Sequence, residues 1–71
     1  MLFGDVVSAY LKEKGMSQAE LARRTGLNKQ TISAIIVGDS ASPTLNNAVL
    51  IADALGVSID EMVARMKEDG A

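Results

Sequence analysis

Glycine spacing constrains the fold of this 71-residue chain more than any other feature. Four of the six glycines, Gly15, Gly26, Gly38 and Gly56, each follow a short segment in which apolar residues recur at helical spacing. Glycine is the usual residue just past the end of a helix, so each is expected to end one. The pattern predicts five short α-helices, and no alternating strand pattern of useful length competes with it.

The first predicted helix runs from Leu2 to about Lys14, and the second begins after Ser17. Ser17 followed three residues later by Glu20 is a capping box, in which the serine hydroxyl accepts an amide hydrogen of the first helical turn. The residues expected to face inward are Phe3, Val6, Val7, Tyr10 and Leu11 in the first helix, and Leu21 and Ala22 in the second.

Three further helix starts can be predicted. Asn28 is a good N-cap for the third helix, Ser42 and Pro43 form an N-cap and first-turn pair for the fourth, and Ser58 is an N-cap for the fifth. The expected inward faces are Ile32, Ile35 and Ile36; Leu45, Val49, Ala52 and Leu55; and Ile59, Met62, Val63 and Met66. Residues 1–67 are thus expected to form one compact all-α domain, with residues 68–71 as a frayed tail.

Composition argues against most catalytic chemistry. The chain has no cysteine and no histidine, which removes thiolate and imidazole ligands, a cysteine nucleophile and the usual imidazole acid or base. The pairs Asp60–Glu61 and Glu68–Asp69 are adjacent in sequence, so they do not face each other across a cleft. We therefore expect no enzyme activity, metal or cofactor. The start, MLFGDVV, is too short and too polar for a signal peptide or membrane span, so a cytoplasmic protein is expected.

The net charge of −2 conceals an uneven distribution. Between Lys12 and Lys29, five basic residues and two acidic ones give +3, whereas between Asp39 and Asp69, six acidic and two basic residues give −4. A basic first half suits one anion-facing surface. On charge alone, ordinary solvated helix faces explain the pattern equally well.

The second and third predicted helices are joined by a very short connection within the segment SQAELARRTGLNKQTISAI. Only Thr25, Gly26, Leu27 and Asn28 separate them, and the glycine stands where the chain must turn sharply. Two short helices joined in this way are typical of a helix-turn-helix motif, here at about residues 17–37.

The sequence resembles the helix-turn-helix domain of the lambda repressor and Cro family of transcription regulators. The matching elements are GMSQAELARRTGLNKQTIS at residues 15–33, Gly38, SPTL at residues 42–45, and IADALGVSIDEM at residues 51–62. They cover nearly the whole chain in the family's order. The resemblance implies a five-helix fold and binding of double-stranded DNA, usually as a homodimer on a near-palindromic operator.

In such a fold the outward side of the third helix would enter the major groove, N-terminal end foremost. A helical period places Gln30, Ser33, Ala34 and Val37 opposite the apolar side. Gln30 can bind adenine with two hydrogen bonds, Ser33 can bond to several bases, and Ala34 can meet a thymine methyl group. The predicted base-reading residues are Asn28, Lys29, Gln30, Ser33 and Ala34.

Phosphate contacts are expected from the starts of helices and from the loop after the third helix. The family resemblance assigns one to Gln18, which matches a glutamine that holds the DNA backbone. The further candidates are Ser40, Ser42, Thr44 and Asn46. Many relatives carry lysine or arginine just after the glycine, where this chain has Asp39, and we therefore expect weaker affinity or a shallower salt dependence. Arg23 and Arg24 are interpreted as partners of the helix C-terminus instead.

The predicted function is that of a sequence-specific DNA-binding transcriptional regulator of the repressor type, without an evident small-molecule effector. The alternative is a protein-interaction or antitoxin-like module on the same fold with weak or lost DNA binding, which the acidic second half favours. Residues considered for a self-association surface are Met1, Leu2, Val37, Leu50 and Met66.

One pair of positions departs from the family pattern. Relatives commonly carry arginine where Leu11 stands and glutamate where Ile36 stands, and the two charges are expected to pair. Here an apolar contact between Leu11 and Ile36 is predicted to replace that ion pair, which avoids desolvating two charges. Val37 points away from this contact, and its role stays open.

Overall fold

The computed structural model describes residues 2–38 and 44–68, and over these residues it contains helices and no strands. The helices are α1 (Phe3–Lys14), α2 (Gln18–Thr25), α3 (Lys29–Val37), α4 (Leu45–Leu55) and α5 (Ile59–Glu68). The predicted all-α, five-helix fold is confirmed. The last helix reaches Glu68, and the remainder of the predicted tail lies outside the described residues.

Three of the predicted N-caps are formed. Each side-chain oxygen accepts the amide hydrogen of the residue three positions on, at 3.1 Å for Ser17, 2.8 Å for Asn28 and 3.0 Å for Ser58. These bonds satisfy amide groups that have no partner within the helix. The local sequence therefore sets where α2, α3 and α5 begin.

The predicted start of α4 is wrong. Its N-cap is Thr44, whose extended backbone precedes the first turn and whose Oγ1 accepts the amide hydrogen of Asn47 at 3.2 Å. Ser42 and Pro43, the predicted cap and first-turn pair, lie outside the described residues. A threonine directly after the proline offers the same hydroxyl chemistry two positions later, and the helix uses it.

The core lies where all five helices meet. Its fully enclosed members, each less than 2% exposed, are Val6, Val7, Leu21, Ile32, Ile51 and Met62. α1 packs on α3 and α5, and α2 packs on α3 and α4. α4 also packs on α5. The helix-turn-helix pair is thereby held from one side by α1 and from the other by α4.

Two predicted inward faces need correction. In α4, Leu45 and Val49 are 75% and 41% exposed, while the unpredicted Ile51 is completely buried. Because α4 is apolar on several sides, periodicity alone could not choose the face, and packing against α2 and α5 turned Ile51 inward. In α5, Val63 is 39% exposed, for it lies at the edge of the stripe centred on Met62.

Gly4 determines how closely α1 approaches α3. It is buried in the first turn of α1, facing the last turn of α3. A Cβ atom at this position would clash with the carbonyl oxygen of Ile35 and would lie 2.7 Å from that of Ile36. The last turn of α3 therefore packs directly against the backbone of α1 at Gly4, with no side chain between them.

Candidate nucleic-acid interface

Thr25 stabilises the turn between α2 and α3, a role that was not predicted from the sequence. Thr25 is 9% exposed, and its hydroxyl oxygen lies 2.9 Å from the carbonyl oxygen of Leu21 and 3.1 Å from that of Ala22. The same oxygen accepts the amide hydrogen of Leu27 at 3.2 Å. Thr25 thus links the last turn of α2 to the connection that leads into α3. A threonine directly before a turn glycine was the available signal.

Gly26 makes the turn itself. Its φ of 79° lies in the left-handed region, and its amide hydrogen is donated to the carbonyl of Ala22 at 2.9 Å. A side chain would strain this backbone, which explains why glycine stands here. After only two more residues, Leu27 and Asn28, the chain enters α3.

α3 has one buried side and one open side. Ile32 and Ile35 are buried at 1% and 8% exposure, and Ile36 is half-buried against the core. The open side carries Lys29, Gln30, Ser33 and Val37, all exposed, with Ala34 half-buried at its edge. The predicted base-reading residues therefore lie together along one surface of α3. Their individual contacts with DNA remain predictions.

Asn28 has a second task at the start of this helix. Its side-chain oxygen accepts the amide hydrogen of Thr31 with one of two lone pairs, and neither of its side-chain amide hydrogens takes part in that bond. The capping role of Asn28 therefore remains compatible with its predicted base contact.

The predicted phosphate contacts divide into two groups. Gln18 is exposed as the first residue of α2, and Thr44 and Asn46 are exposed at the start of α4. These starts belong to two helices that pack directly on each other. Ser40 and Ser42 lie outside the described residues, as does the acidic Asp39 beside them.

The basic residues near the motif are not equivalent. Arg24 forms an ion pair with Glu20 at 2.7 Å, and Arg23 approaches the same carboxylate at 3.7 Å, so both charges are partly neutralised within α2. Lys29 forms no ion pair with any residue of the described ranges 2–38 and 44–68. Of these three, Lys29 has the least compensated charge.

The described part of the chain was also compared with the requirements of a membrane span and of a metal site, and it meets neither. No described helix has both the length and the apolar content needed to cross a membrane. Within the same residues there is no group of three or more carboxylate, imidazole or thiol side chains arranged to hold a metal ion.

Comparison with known families identifies the class of protein. The helix-turn-helix family model matches residues 7–62, from the middle of α1 to the middle of α5. The chain therefore belongs to the helix-turn-helix family of the lambda repressor and Cro type.

Two relatives illustrate the sequence similarity. The chain is 42% identical over 66 residues to an uncharacterised helix-turn-helix transcriptional regulator of Methanothermobacter thermautotrophicus, covering 93% of this chain and 94% of that protein. It is 39% identical over 66 residues to repressor protein C of Rhizobium phage 16-3, covering 93% of this chain. This chain spans only 24% of the length of the phage repressor.

Solved structures show the same fold. The chain matches SinR, a master regulator for biofilm formation crystallised in complex with DNA, with a TM-score of 0.81 and 29% identity over 87% of this chain and 98% of that one. It also matches a SinR/SinI complex, with a TM-score of 0.87 and 27% identity over 99% of this chain and 67% of that one.

Proposed function

We propose that this chain is a sequence-specific double-stranded DNA-binding transcriptional regulator of the repressor type, acting in the cytoplasm and without catalytic activity. The observation that carries the proposal is the open side of α3. Polar side chains capable of reading bases stand opposite Ile32 and Ile35, directly after the tight turn of a helix-turn-helix. The repressor name of the phage relative and the DNA complex of SinR support the same assignment.

In the proposed complex, α3 enters the major groove with its N-terminal residues nearest the base edges. Gln30 pairs with adenine through two hydrogen bonds, and Ser33 and Lys29 contact neighbouring bases or phosphates. Gln18 and the start of α4 hold the backbone on either side and fix the position of α3. Backbone contacts supply affinity, while the side chains of α3 supply sequence preference.

The first experiment is a gel shift on random double-stranded DNA over a range of salt concentrations. We expect a mobility change at low salt that disappears as salt rises, because phosphate contacts release counterions. In vitro selection of bound DNA then gives the operator and the spacing of its half-sites. An unchanged mobility even at low salt would contradict DNA binding.

We further propose that the protein binds its operator as a twofold homodimer. The described residues span 33 × 24 × 20 Å, and half-sites one helical turn apart lie about 34 Å from centre to centre. Two copies on neighbouring major grooves would therefore be close enough to touch near the symmetry axis.

An apolar groove between α1, α4 and α5 offers a surface for the second copy. Its volume is about 290 Å³, and it is lined by Phe3, Leu45, Ala48, Ile59, Met62, Val63 and Met66. Leu45, one of these lining residues, is 75% exposed, so the apolar surface is accessible to a second copy. Leu50, another candidate for this role, is half-buried.

Sedimentation velocity tests the dimer. Val63→Lys places a charge in the groove and is expected to yield a monomer that binds an isolated half-site normally but the full operator weakly. Val49→Lys is the matched control, since Val49 has nearly the same exposure but does not line the groove. A wild-type protein that stays monomeric at high micromolar concentration, with and without operator, would overturn the dimer.

The second candidate function is a protein-interaction or antitoxin-like module. The same groove favours it, together with the acidic second half of the chain and the SinR/SinI complex among the similar structures. The gel shift separates the two functions, because this candidate requires little or no DNA binding at low salt.

A further inference from the structure

The ends of α1 and α4 are closed by a direct bond between backbone groups. After α1, the amide of Met16 donates to the carbonyl of Leu11 at 2.9 Å. After α4, the amide of Val57 donates to the carbonyl of Ala52 at 3.0 Å. In both cases the donor is the residue after the turn glycine, and the acceptor belongs to the last turn of the helix. Such bonds satisfy carbonyl groups that have no partner within the helix.

The end of α2 is closed differently, because a hydroxyl group stands between the two backbone groups. The amide of Leu27, the residue after the turn glycine, donates to Thr25 Oγ1 at 3.2 Å. Thr25 Oγ1 lies 3.1 Å from the carbonyl oxygen of Ala22, which holds the position that Leu11 and Ala52 hold in the other two helices. The hydroxyl therefore replaces the direct bond by a bond on either side of its own oxygen.

The backbone of the turn glycine differs as well. Gly15 after α1 and Gly56 after α4 have ψ values of 34° and 29°, whereas Gly26 after α2 has a ψ of 3°. This torsion sets the direction in which the chain leaves the glycine. The inserted hydroxyl and the smaller ψ thus occur together, at the turn that leads into α3.

Different contacts hold the two ends of α3. At the C-terminal end, the carbonyl groups of the last turn pack against Gly4. The N-terminal end follows the Thr25 turn after only two connecting residues. This second end carries Gln30, and in the proposed complex it lies nearest the base edges. The geometry of the turn therefore acts on the end of α3 that reads DNA.

We propose that Thr25 is a positioning residue for DNA recognition, which sets the orientation of the N-terminal end of α3 through its bond to Leu27. Thr25 is only 9% exposed, so it acts on DNA through α3 and not by contact. Without the hydroxyl, the amide of Leu27 loses its partner, and we expect the turn to form the direct bond to Ala22 instead. This inference rests on the proposed DNA-binding function.

The competing explanation is that the side chain of Leu27 fixes the connection by itself. Leu27 is half-buried and packs against the core. The bond from its amide to Thr25 would then contribute to stability without directing α3. Stability and base preference must therefore be measured separately.

Thr25→Val is the test variant, because valine keeps the branched shape and removes the hydroxyl. Thr25→Ser keeps the hydroxyl and loses only the methyl group. Ser58→Ala is the matched control, since it removes a hydroxyl that accepts the amide hydrogen of Glu61 at 3.0 Å, at the junction of α4 and α5. Urea unfolding gives the stability of each variant. Fluorescence anisotropy gives its dissociation constants for random DNA and for the operator selected with the wild type.

We expect Thr25→Val to bind the selected operator about tenfold more weakly than the wild type, within the range for one good base contact. Its affinity for random DNA should change little, because the phosphate contacts proposed for the starts of α2 and α4 do not depend on the orientation of α3. Thr25→Ser and Ser58→Ala should keep the wild-type ratio of the two affinities, even where their stability is lower.

A wild-type ratio of affinities in folded Thr25→Val would overturn the inference and leave the DNA-binding function intact. An equal loss of preference in Ser58→Ala would also overturn it, because the effect would then follow from stability alone. A reduced ratio in Thr25→Ser, which retains the hydroxyl, would overturn it even if Thr25→Val does not fold. If the wild type selects no operator, the proposed function itself fails, and this inference fails with it.

Discussion

In the proposed complex, single residues divide into those that contact DNA and those that position α3. Gln30 and Gln18 illustrate two kinds of contact, because Gln30 lies on the open side of α3 and Gln18 at the start of α2. A residue that reads a base changes the preference at one position, whereas one that holds phosphate affects all sequences alike.

Replacing each glutamine by alanine distinguishes these roles. Gln30→Ala is expected to cost about 1 to 3 kcal/mol on the preferred operator and to remove the preference at one base pair. Gln18→Ala should weaken binding by a similar factor on every sequence. Anisotropy titrations against a panel of single-base operator variants measure both patterns. A uniform loss for Gln30→Ala would show that it holds the backbone.

Gly4 allows an equally specific prediction about stability. Glycine to alanine inside a helix normally stabilises by about 1 kcal/mol. Here the new methyl group would meet the carbonyl oxygens of Ile35 and Ile36, so Gly4→Ala should instead destabilise by about 1 to 3 kcal/mol or more. Ser8→Ala, an exposed site in the same helix, should be neutral or slightly stabilising. Urea unfolding measures both, and equal stability of the two variants would contradict the close approach.

At the scale of helices, the sequence predicted most of what depends on local chemistry. The caps at Ser17, Asn28 and Ser58 follow from hydroxyl and amide groups at fixed offsets, and the open side of α3 follows from its periodicity. The start of α4 was missed because two neighbouring residues, Ser42 and Thr44, carry the same capping chemistry.

Features that depend on contacts between helices could not be predicted from the sequence. The exposure of Leu45 depends on which side of α4 meets α2 and α5. The role of Gly4 depends on carbonyl groups about thirty positions away in the chain. Within the candidate site, the residues on the open side of α3 were predictable from periodicity. The hydrogen bonds by which Thr25 stabilises the turn became evident only from the geometry of the structure.

The packing of α1 on α3 supports a test of the apolar pair that replaces the family's ion pair. Leu11 is 6% exposed and Ile36 is half-buried against the core. Ile36→Glu should destabilise by about 1 to 3 kcal/mol, because it places an unpaired charge partly out of water. Adding Leu11→Arg should recover part of the loss through a new ion pair.

Val37→Glu is the control for this pair. Val37 is the next residue along α3 and is exposed, so the same charge there should change stability little. Thermal unfolding followed by circular dichroism compares the three variants with the wild type. If Ile36→Glu and the double variant both melt like the wild type, the Leu11–Ile36 pairing is wrong.

At the scale of the whole molecule, a polar cluster joins the first helix to the last. Arg65 in α5 binds Glu13 in α1 with two hydrogen bonds, of 2.7 and 3.2 Å, and its guanidinium lies 4.5 Å from the centre of the Tyr10 ring. The Tyr10 hydroxyl donates to the carboxylate of Glu61 at 3.2 Å. α5 is therefore attached to α1 by directional contacts as well as by Met62.

This cluster predicts a pH dependence of stability. The hydrogen bond from Arg65 lowers the pKa of Glu13 below its ordinary value of 4.5. The stabilisation is therefore complete above pH 4.5 and is lost as the pH falls through the lowered pKa. Wild type should melt at a higher temperature than Glu13→Gln near neutral pH. This difference in melting temperature should decrease as the pH falls through the lowered pKa of Glu13.

Melting curves of both proteins between pH 7 and pH 3 test this dependence. Glu20→Gln is a suitable control, since its ion pairs lie within α2 and do not join two helices. A difference between wild type and Glu13→Gln that does not decrease as the pH falls below 4.5 would show that the ion pair is not its cause.

The bare backbone contact at Gly4 has a consequence for how operator preference can diverge. Because α1 and the end of α3 already touch with no side chain between them, α3 has no room to move closer, and any larger residue at position 4 would displace it. In the proposed complex, new preferences are therefore accessible mainly by exchanging exposed residues such as Gln30 and Ser33, which leave that contact intact. Reprogramming the operator in the laboratory should follow the same route, with the scaffold kept and only the exposed ridge of α3 randomised.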